Sequence, residues 1–128
     1  MVRIFSATLL LACVCACSRG AIGSSTPEIV EPDARHIALA ESLVPSDPDL
    51  AAIYDRSCRA CHALNGLGAP LTGHSAAWAP RIDQRGMDGL IASIHSGRGT
   101  MPSMGYCPDC TDDDFRALIE FMATEGQS

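Results

Sequence analysis

Three stretches of the chain carry apolar residues at the spacing of an amphipathic helix. Because residues three or four apart lie on one side of a helix, each stretch predicts a helix with one apolar face. No stretch shows the alternation of apolar and polar residues that is typical of a strand, so the pattern predicts an all-α fold. The three sets are Leu50, Ile53, Tyr54, Cys58 and Cys61; then Met87, Leu90, Ile91 and Ile94; then Phe115, Leu118, Ile119 and Met122.

Glycines and polar residues mark the ends of these helices. Gly97 and Gly99 predict the end of the second helix, and Thr111 is the predicted N-cap of the third. The three aspartates that follow Thr111 lie in the first turn, where the helix dipole favours negative charge. Between the first and second helices, residues 63–86 contain several glycines and two prolines. We therefore expect this stretch to be a long loop.

The first residues have the pattern of an export signal. Arg3 precedes an apolar run from Ile4 to Ala16, which suits a signal peptide but is too short to span a bilayer. The run ends with a small residue before Cys17, as in bacterial lipoproteins. We predict a lipoprotein signal peptide over residues 1–16 and a lipid on Cys17. Lipidation at Cys13 is a second candidate, and ordinary cleavage without a lipid is the alternative.

The rest of the chain divides at a proline-rich region. Residues 17–47 contain small and polar residues and three prolines, one of them Pro45, so we predict a flexible linker. One short helix around Ile37 and Leu43 is the only element expected there. Residues 48–128 contain the three helical patterns and form the predicted compact domain. A domain of this size buries little apolar surface and usually needs a disulfide, a metal or a large cofactor.

The charge of the chain restricts its partners. The 128 residues contain nine basic residues, all arginine, against fifteen acidic ones, and the net charge is −6. An acidic chain without a basic cluster argues against nucleic acid as a partner, because phosphate binding needs clustered positive charge. Export also places the cysteines in an oxidising compartment, where disulfides persist.

The sequence Cys58-Arg59-Ala60-Cys61-His62 predicts a covalent haem site. Two thiols at this spacing on a helical turn reach the two vinyl groups of one haem, and the adjacent histidine then lies under the iron. A zinc site would need two further ligands at a matching spacing, and a redox dithiol would not need His62. Covalent haem in an exported protein is therefore the favoured interpretation, with these two as alternatives.

The sixth iron ligand has to come from another part of the chain. Met87 and Met122 lie on apolar helix faces, where core packing is the simpler role. Met101 lies between two helices, after a glycine-rich turn and before Pro102, which stiffens the backbone beside it. We predict Met101 as the ligand, with Met104 as the competitor. His36, His74 and His95 are the remaining side chains that could bind iron.

Four features in order resemble a class I cytochrome c, and most closely the cytochrome c5 group. The resemblance covers about the last eighty residues of the chain. It rests on the haem motif Cys58 to His62, on Gly68-Ala69-Pro70, on Ala76-Ala77-Trp78-Ala79-Pro80-Arg81, and on Gly99-Thr100-Met101-Pro102 followed by Cys107-Pro108-Asp109-Cys110. It implies a small all-α fold of three to four short helices around one covalently bound haem.

The resemblance also implies a role for individual residues. His62 and Met101 would be the axial ligands, and the Pro70 carbonyl would accept a hydrogen bond from His62 Nδ1. Trp78 and Arg81 would lie near the haem propionates. The first and last helices would cross where Leu50 and Tyr54 meet Phe121.

Cys107 and Cys110 have two interpretations. Their spacing resembles a thioredoxin-type active site, but the aspartates around them disfavour a thiolate. A structural disulfide that braces the segment containing Met101 is the better interpretation, and the cytochrome c5 group likewise has a disulfide at this place.

The predicted ligand set leads to a function. Histidine and methionine ligands fill both axial positions, so substrate or oxygen has no place to bind, and the iron can only change valence. The sequence therefore predicts a periplasmic, membrane-tethered electron-transfer protein rather than an enzyme. Its partners would be respiratory redox proteins, with a basic docking face. The alternatives are a haem enzyme or gas-binding module with an open sixth site, with His74 or His95 as the distal residue, and a fixed cytochrome subunit of a larger complex.

Overall fold

The computed structural model describes residues 30–126, so the predicted signal peptide and Cys17 lie outside the described residues. Within this range the chain is helical and forms no strand beyond an isolated bridge between Arg98 and Met101, which confirms the predicted all-α fold. None of its helices combines the length and the apolar character needed to cross a bilayer. The α-helices are α1 (Ala34–Ser42), α2 (Pro48–Ile53), α3 (Arg59–His62), α4 (Ser75–Ser96) and α5 (Asp112–Ala123).

The first predicted helix is present as one continuous helical stretch from α2 to α3. Asp47 caps its start by accepting a hydrogen bond from the backbone N–H of Leu50, and Pro48 occupies the first turn, where no N–H is needed. A π-helical turn over Tyr54–Cys58 joins α2 to α3. The stretch ends at His62, so the whole haem motif lies on helical backbone.

The third predicted helix, α5, has the expected cap and the expected apolar face. Thr111 and Asp114 form a reciprocal capping box at its start. The four apolar residues of the pattern, from Phe115 to Met122, are buried. Tyr54 on the first helical stretch meets Phe121 edge to face, with ring centroids 5.2 Å apart. The crossing of the first and last helices is therefore the one that the resemblance implies.

Helix α4 is longer than the sequence pattern predicts. The predicted loop over residues 63–86 is wrong from Ser75 onward, because residues 75–85 are helical. Trp78 is buried in the main core, and this packing outweighs the cost of Pro80 inside the helix. Gly86 has a φ of 64°, outside the helical range, and it divides α4 into two helical parts.

Helix α1 differs from the flexible linker predicted over residues 17–47. The short helix expected there is present, but it packs against the rest of the domain. Ala40 is completely buried, and Leu43 approaches Gly73 so closely that a Cβ on Gly73 would lie 2.7 Å from its Cδ1 atom. Arg35 also forms an ion pair with Glu125 at 2.6 Å. Within the described residues, α1 is therefore packed against the domain rather than part of a flexible linker, and residues 17–29 lie outside the described part.

Candidate functional site

The haem motif forms one wall of a cavity in the centre of the domain. Cys58, Cys61 and His62 line it together with Met101 and mostly apolar side chains, among them Phe115. The space measures about 560 Å³ including the part open to solvent. Neither motif cysteine forms a disulfide, so both sulfurs are available for a thioether bond. Burial and the nearby Cys61 raise the pKa of the free Cys58 thiol to about 11.

The imidazole of His62 is held in one orientation. Its Nδ1 lies 2.8 Å from the carbonyl oxygen of Pro70 and donates to it. This hydrogen bond leaves Nε2 as the nitrogen available to a metal. The ring of Trp78 stacks on the imidazole, with centroids 5.5 Å apart. Burial lowers the pKa of His62, which favours the neutral form that a metal requires.

Three hydrogen bonds hold the turn that contains the Pro70 carbonyl. The backbone N–H of Thr72 donates to the carbonyl of His62 at 2.8 Å, and the N–H of Gly73 donates to the carbonyl of Met122 at 2.8 Å. The Tyr54 hydroxyl lies 2.9 Å from the Thr72 hydroxyl in a buried hydrogen bond. The first helical stretch and α5 thus position the acceptor that orients His62.

Met101 lies on a turn that is tied back to α4. It exchanges two backbone hydrogen bonds with Arg98, both at 3.0 Å. A Cβ on Gly97 would lie 3.0 Å from the carbonyl oxygen of Met101, so the turn approaches α4 as closely as glycine allows. Met101 lines the cavity, whereas Met104, which has a φ of 59°, is not among the described residues that line it. Met122 also lines the cavity, but it is a buried core residue of α5.

Trp78 and Arg81 lie beside His62, and both donate to backbone carbonyls. The indole N–H of Trp78 donates to the carbonyl of Leu71 at 2.9 Å, and the Arg81 guanidinium donates to the carbonyl of Ala77. The positive charge of Arg81 is close enough to contribute to lowering the pKa of His62. The indole nitrogen is therefore already bonded to the turn that follows Pro70.

The structure contains the Cys107–Cys110 disulfide that the resemblance implies. It also contains a partner for this motif that the sequence analysis did not identify. Arg56 donates to both carboxylate oxygens of Asp109, at 3.1 and 3.0 Å, and its Nη2 lies 3.2 Å from Cys107 Sγ. The two residues are 53 positions apart, so no local spacing could have revealed the pair.

The other histidines do not line the cavity in the described part of the chain. His95 Nε2 forms a hydrogen bond with Asp112 Oδ1 at 2.6 Å, and its ring packs edge to face on Phe115. His74 is buried, and its ring lies 4.1 Å from that of His36. The distal residue required by the open-site alternative is therefore not supplied by His74 or His95.

A zinc site at the haem motif has no support in residues 30–126. The one group there of three or more histidine, cysteine or acidic side chains close enough to share a metal is Cys107, Asp109 and Cys110. Its two sulfurs are joined in the disulfide, so they offer no thiolate. Cys58 and Cys61 gain no further ligands of the kind that zinc needs.

Comparison with known proteins decides the family. The family model for "Cytochrome C oxidase, cbb3-type, subunit III" matches residues 46–122. Cytochrome c5 of Ectopseudomonas mendocina is 46% identical over 72 residues, which are 56% of this chain and 83% of that protein. The chain belongs to the family of that model and is a class I c-type cytochrome close to cytochrome c5. Cytochrome c5 of Azotobacter vinelandii is also 46% identical, over 61% of this cytochrome and 92% of its own length.

A solved structure shows the same fold. It is titled as the crystal structure of an electron transfer complex of nitrite reductase with cytochrome c. The TM-score is 0.51 at 35% sequence identity, and the alignment covers 60% of this cytochrome and 93% of the other chain. The small class I cytochrome c fold predicted from the sequence is therefore confirmed.

The cytochrome binds haem c covalently through Cys58 and Cys61. The described residues fit this cofactor in three respects. The two thiols are free and one helical turn apart, His62 presents one nitrogen next to them, and the cavity they line is mainly apolar. A low-dielectric cavity of this kind disfavours the additional charge of oxidised iron, so it favours the reduced state.

Proposed function

We propose that this cytochrome is a monohaem electron carrier whose iron is bound by His62 and Met101. The observation that supports it is that both side chains line one cavity together with the two attachment cysteines. When bound, the haem supplies one-electron chemistry. The chain orients His62 through Pro70, excludes water with apolar side chains and presents a thioether. With His62 and Met101 both bound to it, the iron would have no position left for a substrate.

The ferric absorption spectrum tests the ligand assignment. Methionine ligation gives a weak far-red sulfur-to-iron band. We expect this band in the wild-type holoprotein and in Met104→Ala, and its loss in Met101→Ala. Met104→Ala is the matched control, because Met104 lies three residues away but does not line the cavity. Loss of the band in Met104→Ala alone would overturn the assignment.

Trp78 and Arg81 support the site from beside His62 in this proposal. Arg81 supplies positive charge near the haem, and this charge would favour the carboxylate form of a propionate. Trp78 acts mainly through its ring and its bond to Leu71. The Pro70 carbonyl keeps the His62 imidazole oriented and increases its basicity.

Redox proteins are the partners that we propose for this cytochrome. The relatives are named cytochromes, and the similar chain in the solved structure is titled as part of an electron transfer complex with nitrite reductase. The negative charge of this chain suits a partner with a basic docking face. The donor and the acceptor would use a small, transient interface near the cavity mouth.

We also propose an exported, periplasmic protein with a lipid on Cys17. The proposal rests on the apolar run before Cys17 and lies on residues outside the described range. Metabolic labelling with palmitate should mark the wild-type protein but not Cys17→Ala. Labelling that persists in Cys17→Ala and disappears in Cys13→Ala would move the lipid to the earlier cysteine.

A fixed subunit of a respiratory complex is the second candidate function. The matching family model, whose description names an oxidase subunit, favours it. Gently solubilised membranes separate the two candidates by size exclusion. A free carrier elutes near the size of one cytochrome with its detergent, whereas a fixed subunit elutes with a large complex.

A further inference from the structure

The Met101 segment, residues 97–110, is fixed firmly to α4 at its beginning. Gly97 ends α4 in close approach to the Met101 carbonyl, and the Ser103 hydroxyl donates to the carbonyl of His95 at 2.6 Å. These contacts lie on α4 and not on the helical stretch that contains the haem motif. A methionine sulfur can close an iron site only if its segment is also held against that stretch.

Arg56 makes the connection to the haem-motif helix. It lies on the π-helical turn, two residues before Cys58. Among the residues that the structure describes, all side-chain hydrogen bonds between residues 48–62 and the Met101 segment come from Arg56. They end on Asp109 and on the disulfide sulfurs. Asp114 is a further carboxylate near the guanidinium.

The geometry of the Arg56–Asp109 ion pair allows it to hold the Met101 segment although both side chains are exposed. The side chains of Arg56 and Asp109 are 45% and 68% exposed, and exposed pairs usually contribute little. This pair is bidentate, however, and Nη2 also contacts Cys107 Sγ. The pair raises the pKa of Arg56 and lowers that of Asp109, so both groups remain charged.

The contact can be transmitted to Met101 through short backbone turns. The N–H of Cys107 donates to the carbonyl of Met104 at 2.8 Å, and the N–H of Gly105 donates to the carbonyl of Pro102 at 3.1 Å. The Cys107–Cys110 disulfide closes the turn that contains Asp109. A displacement at Asp109 therefore moves a stiff segment that ends beside Met101 rather than a loose loop.

We propose that Arg56 and Asp109 are a positioning pair that holds the Met101 segment against the haem-motif helix and so determines how firmly the sixth ligand position is closed. The inference rests on the proposed ligation by Met101. The described hydrogen bonds of Arg56 end on Asp109 and the disulfide sulfurs and not on His62 or Met101. Their effect is on the competition between the Met101 sulfur and an external ligand.

Imidazole titration of the ferric holoprotein measures that competition. Imidazole binds iron well and displaces a weak thioether, and the far-red band reports the displacement. Breaking an exposed ion pair costs up to about 1 kcal/mol of the interaction that it supports. We therefore expect the apparent imidazole affinity to rise about two- to fivefold in Arg56→Gln and in Asp109→Asn. The double variant should match the single variants, because either change removes the same contact.

Asp88→Asn is the matched control. It breaks the exposed Arg116–Asp88 ion pair, 3.1 Å long, between α4 and α5. We expect no change in imidazole affinity from this variant. Equal affinities in all variants would overturn the inference, and so would additive effects of Arg56→Gln and Asp109→Asn or an equal rise in Asp88→Asn.

A conservative variant and the far-red band together separate the positioning pair from the proposed ligation by Met101. Arg56→Lys keeps the charge but not the bidentate geometry, so its affinity should lie between those of the wild type and Arg56→Gln. If the wild type lacks the far-red band, ligation by Met101 and this inference both fail. If the band is present and is lost in Met101→Ala, but imidazole affinity is insensitive to Arg56 and Asp109, only the positioning pair fails.

Discussion

At the scale of single residues, His62 depends on neighbours that the haem motif does not contain. Pro70 accepts its Nδ1–H, and Trp78 covers its ring. Trp78 also ties the Leu71 carbonyl, one residue after Pro70, through its indole N–H. Trp78 therefore positions the imidazole in two ways: its ring stacks on the imidazole, and its N–H bonds the turn that orients it.

Replacing Trp78 with phenylalanine tests the second contact. Trp78→Phe keeps an aromatic ring but removes the indole donor to the Leu71 carbonyl, which keeps only the backbone N–H of His74 at 3.2 Å. We expect the free energy of unfolding to fall by about 0.5–1.5 kcal/mol, the usual net contribution of one hydrogen bond. Denaturant unfolding of the holoprotein measures it. Tyr106→Phe, at a residue that is 72% exposed, is the control and should change stability by less than about 0.5 kcal/mol. Equal stability of Trp78→Phe and the wild type would contradict the prediction.

The sequence predicts residues whose role is encoded locally and not those that act across the fold. The spacing of Cys58, Cys61 and His62 is itself the signal, because attachment to one haem requires it. Arg56 and Asp109 are ordinary charged residues in their local sequence. Their relation appears only when the first helical stretch and the disulfide turn come together, and pairing among so many exposed charges cannot be derived from spacing.

At the scale of elements, periodicity identifies the helices with an unbroken apolar face. It identifies α5 and the second part of α4, whose buried residues follow the helical repeat. It does not identify residues 75–85, because Pro80 and the surrounding glycines are breaker signals that tertiary packing of Trp78 overrides. It indicates α1 as a short helix but not its packing against the domain, since the surface that α1 covers belongs to a distant turn.

The interface between α1 and that turn predicts sensitivity to acid. Burial lowers the pKa of His74, and His36 beside it acts in the same direction. A histidine in the unfolded chain titrates near pH 6.5. The unfolded state therefore takes up the proton first, and stability falls as the pH drops below about 6.5. In His74→Gln, the difference in unfolding free energy between pH 8 and pH 5 should be smaller than in the wild type. An unchanged difference would show that His74 does not contribute.

At the scale of the whole molecule, charge governs how the cytochrome meets its partners. The chain contains no lysine, and its fifteen acidic residues exceed its nine arginines. Such an excess creates a negative potential around the domain that extends about one Debye length, roughly 30 Å at 0.01 M salt and 10 Å at 0.1 M. A basic partner would therefore be attracted before contact.

Electron exchange with a basic redox protein should depend strongly on salt. We expect the second-order rate to fall about tenfold or more between low and high ionic strength. Stopped-flow mixing under both conditions measures the rate. A small neutral reductant is the control, because its rate should be nearly independent of salt. The same rate with the basic protein at both salt concentrations would remove electrostatic attraction from the proposal.

The packing of α1 has a practical consequence for anyone who shortens this protein. A truncated form that starts at Pro48 would lose Leu39 and Leu43 from above Gly73 and would bring His74 into water. The same turn bonds His62 through Thr72. Reduction potentials measured on such a fragment would then reflect a His62 whose supporting turn is less firmly held. A truncation that retains Asp33, the residue that caps α1, preserves the environment in which the iron works.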